Sequence, residues 1–64
     1  MANFEIRFKC DVNKGDYIKT EVVNNSEIEV SMFIENDYYD IILDKSTAIK
    51  FAKTLRTEIN KIQD

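Results

Sequence analysis

Tyr38 to Phe51 reads YYDIILDKSTAIKF, and the spacing of apolar residues changes within it. Before Asp44 they recur at Tyr39, Ile41 and Leu43, every second position, as in a strand with one buried side. After Asp44 they recur at Ala48, Phe51, Ala52, Leu55, Ile59 and Ile62, which fall within about 100° on a helical wheel, with Ile49 at the margin. A strand followed at once by an amphipathic helix is the expectation. Asp44 is the natural N-cap, with Lys45, Ser46 and Thr47 in the first turn. The small Ala48 and Ala52 allow close approach to a sheet. Lys50, Lys53, Thr54, Thr57 and Lys61 form the wet face.

Upstream, the period of two persists. Phe4, Ile6, Phe8, Cys10 and Val12 alternate with Glu5, Arg7, Lys9 and Asp11; Ile18, Thr20 and Val22 resume the even-numbered face, and Ile28, Val30, Met32 and Ile34 continue it. Breaks fall at Lys14-Gly15-Asp16, Asn24-Asn25-Ser26 and Asn36-Asp37. Short turns between neighbouring strands imply antiparallel pairing. The pattern predicts one domain over 1–64, α+β in class. It is a two-layer ββββα unit, a four-stranded antiparallel meander sheet packed on one C-terminal helix, with strands near 3–12, 17–23, 27–35 and 38–43 and the helix near 45–62.

Register follows from keeping apolar faces together. A three-residue loop at Asn24-Asn25-Ser26 sets Val22 opposite Ile28 and Thr20 opposite Val30, with an Asn in the left-handed position. Pairing Val12 with Ile18 places Asp11 across from Lys19 and Lys9 across from Glu21. A two-residue turn at Asn36-Asp37 pairs Ile34 with Tyr39 and Met32 with Ile41. The even positions of the first three strands then face the helix, and the other side of the sheet is left uncovered.

On that outer side Tyr17 falls opposite Phe33, and Phe33 faces Asp40 between Tyr38 and Ile42. Such a cluster is unusual on the exposed face of a one-sided sheet. The fourth strand is also an edge without the lysines or proline that blunt edges, whereas the first carries Arg7 and Lys9. These features predict a protein–protein interaction module of adaptor or inhibitor type, homodimeric or binding another protein, with Tyr17, Phe33, Tyr38, Asp40 and Ile42 as the partner-binding residues.

Composition narrows the classes further. A chain of 64 residues buries only about 60% of its unfolded surface and is marginally stable. With one cysteine and no histidine, neither a disulfide nor a zinc site is available to reinforce it, which leaves oligomerisation. Catalysis, a metal and a cofactor are not expected. Asp37 and Asp40 point to opposite faces, and Cys10 sits on the buried side as an inert thiol. The lone thiol, the absence of a long apolar run and a start unlike a signal peptide predict a cytoplasmic chain without a membrane span. Abundant Ile, Lys, Asn and Tyr against one Gly and no Pro suggest a low-GC bacterium or its phage.

Charge is uneven: residues 1–44 hold four basic and ten acidic side chains, residues 45–64 five basic and two acidic. The acidic sheet argues against stacking of nucleic acid on its aromatics. Two alternatives remain: a small-ligand or nucleotide site at a dimer seam, and a weak nucleic-acid contact through Lys50, Lys53, Arg56 and Lys61 on the helix.

Overall fold

The computed structural model describes residues 5–63, so positions 3 and 4 of the expected first strand, Phe4 included, lie outside the described residues. Four strands precede one helix: β1 (Phe8–Lys9), β2 (Tyr17–Val22), β3 (Glu27–Ile34), β4 (Asp37–Asp44) and α1 (Lys45–Ile59). The sheet is an antiparallel meander in the order β1-β2-β3-β4. This is the α+β class and chain order that the two periodicities predict.

The β2–β3 register is the expected one, with Val22 opposite Ile28, Thr20 opposite Val30 and Tyr17 opposite Phe33. Its loop is built differently. No Asn there is left-handed. Instead the Asn24 side chain organises the turn: its Oδ1 accepts from the Ser26 N–H at 2.9 Å, and its Nδ2 donates to Glu27 Oε1 at 2.8 Å. The Asx turn supplies locally what a left-handed residue would have supplied.

The other two registers are corrected. Phe8, not Val12, pairs with Ile18, and β1 stops at Lys9. Beyond it the backbone folds into a loop, where Asp16 N–H donates to the Asn13 carbonyl at 2.9 Å and Val12 is left 83% exposed. The opposite-charge pairs that favoured the longer strand do not form; Lys19 pairs with Glu5 at 2.7 Å instead. Between β3 and β4 the turn is Glu35-Asn36, so Ile34 pairs with Asp37 and Met32 with Tyr39. Both turn residues are left-handed, at φ 50° and 71°, as a type I′ hairpin requires. Glu is a poor residue for that conformation. Its N–H, however, donates to Asp16 Oδ1 at 3.0 Å, a brace from the β1–β2 loop.

Both slips are even-numbered, so every strand keeps its faces. Asp44 caps α1 with Oδ1 accepting from the Thr47 N–H at 2.7 Å. The helix ends at Ile59 rather than 62, in short-range bonds from Lys61 N–H to the Glu58 carbonyl and from Ile62 N–H to that of Ile59.

The expected core is open. No apolar side chain is buried among the described residues, and Ser31 alone is buried. The helix approaches β3 and β4 but neither β1 nor β2. Exposure climbs along its stripe, from Phe51 at 47% and Leu55 at 49% to Ile59 at 53% and Ile62 at 69%. The helix thus lifts away from the sheet as it proceeds. The chain exposes 5928 Å², whereas a compact protein of this mass exposes about 4,250 Å². Its radius of gyration, 13.4 Å, exceeds the roughly 10.7 Å of a compact domain of this length.

Candidate functional site

The outer face of the sheet is set by β-strand parity and by three rungs of cross-strand neighbours. In the first, Tyr17, Phe33 and Tyr38 stand side by side across β2, β3 and β4. The Tyr17 and Phe33 rings stack with centroids 5.4 Å apart and planes 14° from parallel. Arg7 lies over the Tyr17 ring, its guanidinium carbon 4.5 Å from the centroid, in a cation–π contact. Two of the three aromatics are therefore half-buried by each other and by an arginine. Tyr38 stays exposed, and its hydroxyl donates to Ser31 Oγ at 2.8 Å.

The second rung is Lys19, Ser31 and Asp40, and the third Glu21, Glu29 and Ile42. Asp40 thus faces Ser31, not Phe33, because the β3–β4 turn sits one residue earlier than expected. The five expected site residues do share one surface. Tyr17 and Phe33 stack, Tyr38 is the next cross-strand neighbour in the row, and Asp40 and Ile42 continue down the β4 edge, with Ile42 45% exposed.

Electrostatically this face splits in two. Glu5 gathers Lys19 at 2.7 Å and Arg7 at 3.1 Å. The hydrogen bond from Lys19, then that from Arg7, hold the Glu5 carboxyl below its ordinary value, and the bond to Glu5 keeps Lys19 above its own. At the other end Glu21 and Glu29 oppose each other directly, and Asp40 lies diagonally across from Glu29. Hydrogen bonding of the protonated Glu29 carboxyl to Asp40, then desolvation and the repulsion of neighbouring carboxylates, raise the Glu29 pKa. A raised carboxyl favours the fold below its ordinary value of 4.5, and the benefit disappears as pH climbs through the folded value. Ionised Glu29 hence works against the fold at neutral pH. Glu29→Gln is expected to raise the melting temperature near pH 7 and to leave it unchanged near pH 3, as thermal melts in two buffers would show.

The inner face was read from sequence as core and is largely uncovered. An apolar cleft of about 370 Å³ lies between sheet and helix, lined by Ile18, Val30, Met32, Ile41, Leu43, Thr47 and Phe51. Cys10 stands on this side, half-buried, with Sγ accepting from the Asn13 N–H at 3.4 Å. Sequence reasoning identified these apolar residues but missed that they form a surface. The available signal was the count of elements, one helix set against four strands.

Among the described residues no cluster of His, Cys, Asp or Glu is arranged to hold a metal ion, and no helix is long and apolar enough to cross a membrane. No protein-family model, curated protein or solved structure matches this chain.

Proposed function

We propose that this chain is a small, non-enzymatic, cytoplasmic protein–protein interaction module, homodimeric, that offers the β4 edge and the adjoining outer face to another protein as an adaptor or inhibitor does. One observation carries the reading. β4 is an eight-residue edge strand with exposed apolar side chains on both faces: Tyr38 and Ile42 outward, at 51% and 45%, and Tyr39 and Ile41 inward, at 53% and 58%. An edge of that length and apolarity, without lysine or proline, is a template for pairing with an extended segment of a partner. Asp40 and the electronegative Glu21–Glu29 pair beside it favour a basic partner surface.

The small-ligand alternative has the apolar cleft in its favour, since about 370 Å³ is within the range of ligand sites. It ranks lower because the lining side chains offer one hydroxyl, that of Thr47, to orient a ligand. The module is tested by capturing a partner on the immobilised chain and titrating the purified pair. Tyr38→Ser combined with Ile42→Ser is expected to weaken that binding at least about tenfold, with the circular dichroism of the free chain unchanged. Equal affinity of the double variant removes the β4 surface from the mechanism.

A further inference from the structure

Each chain carries an apolar helix end with no floor and a sheet half with no roof. Thr47 and Phe51 are the helical residues that line the cleft against β2, β3 and β4. One turn further on, Leu55 borders a hollow whose other walls are Ala52, Arg56, Ile59 and Asn60, all from the helix or its cap. Across the molecule, Phe8, Ile18, Met32 and Ile34 line a second hollow on the inner face that no helical residue reaches. The same chain cannot bring the two together. The helix leaves β4 without a loop, and its first N–H is tied to the Ser26 carbonyl at 3.2 Å, which fixes its line of departure.

Resting on the reading of the chain as an association module, we propose that a second copy occupies this face. The result is a two-fold dimer in which Leu55 and Ile59 of each copy seat on the inner face of the other around Phe8, Met32 and Ile34. Area leaves room for it. Over the whole molecule, loops included, the chain exposes 5928 Å², roughly 1,700 Å² more than a compact protein of its mass, and a standard interface takes about 800 Å² from each partner. Charge at the two hollows supports the pairing. Arg56 walls the helical hollow, and Asp16 is among the residues lining the sheet hollow, beside Lys9. Helix on sheet occurs twice in such a pair, which closes the assembly with no free end.

The test uses the full chain at tens of micromolar. Sedimentation is expected to give twice 7.5 kDa. A photo-crosslinking benzoylphenylalanine at position 55, in a mixture of ¹⁴N- and ¹⁵N-labelled chains, is expected to join differently labelled copies at the peptide containing Met32 and Ile34. Leu55→Asp should raise the dimer dissociation constant at least about 100-fold, while Ile42→Ser leaves it unchanged. If Leu55→Asp unfolds the chain, the crosslink decides. Crosslinks confined to single copies, or a dimer lost with Ile42→Ser and kept with Leu55→Asp, overturn the inner-face pairing. A folded monomer that still captures another protein overturns the second copy but not the module, and a folded monomer that captures nothing ends both.

Discussion

Phe51→Asp is expected to abolish the cooperative thermal transition. Phe51 is the aromatic side chain that the helix contributes to the cleft against the sheet, whose other walls are Ile18, Val30, Met32, Ile41, Leu43 and Thr47. Truncating a fully buried Phe costs about 3–5 kcal/mol. Scaling for its 47% exposure leaves roughly 2 kcal/mol for the lost ring. A carboxylate facing six neighbours, five of them apolar, adds a desolvation penalty of comparable size. Below about 70–80 residues a single core supplies only about 3–5 kcal/mol, so the substitution consumes the whole margin. Far-UV circular dichroism on heating should change from a sigmoid to a slope, while Phe51→Leu keeps the sigmoid. A melt of Phe51→Asp that stays cooperative and near the parental midpoint would mean that the sheet is stable without its helix.

The second large effect is on the parent chain. If two copies complete each other, unfolding is also dissociation, and the melting temperature depends on concentration. A tenfold increase adds about 1.4 kcal/mol per dimer. With an unfolding entropy of about 2.1 cal/mol/K per residue over both chains, the midpoint should rise by roughly 5 °C per tenfold. A monomer shows no such slope. Scanning calorimetry at three concentrations spanning two decades measures it directly, and a flat line would contradict the pairing of helix and sheet between copies.

Face assignment was legible from the residues because parity is a local property, and every side chain named for the inner or outer side is found on it wherever it lies in a paired strand. Absolute register was less so. The slips at Phe8–Ile18 and Met32–Tyr39 are by four and by two residues, and an even slip leaves the apolar faces intact. The turn at Glu35-Asn36 was concealed because glutamate is a weak candidate for a left-handed position. What steadies it is the Asp16 carboxylate, nineteen positions away, and such a bond has no local signature.

The candidate site was legible to the same degree. Tyr17 against Phe33 follows from the β2–β3 loop length, and Asp40 was misplaced by the same turn that misplaced Tyr39. Arg7 over Tyr17 and the Tyr38 hydroxyl on Ser31 lie outside any pattern of periodicity, since both depend on side-chain direction across neighbouring strands. Nor does amphipathicity report what covers a stripe: Leu55 and Ile59 have the same spacing on a helix pressed to its own sheet as on one that departs from it.

Asp44 is at once the last residue of β4 and the cap of α1, so no slack separates ribbon from rod. In the proposed assembly, a visitor that aligned beside the ribbon and altered its coil would swing the rod like an oar in its lock, with the blade against the second copy. Occupation of one rim of the sheet would then be felt in the grip between the two copies, and loosening that grip would alter the rim in return.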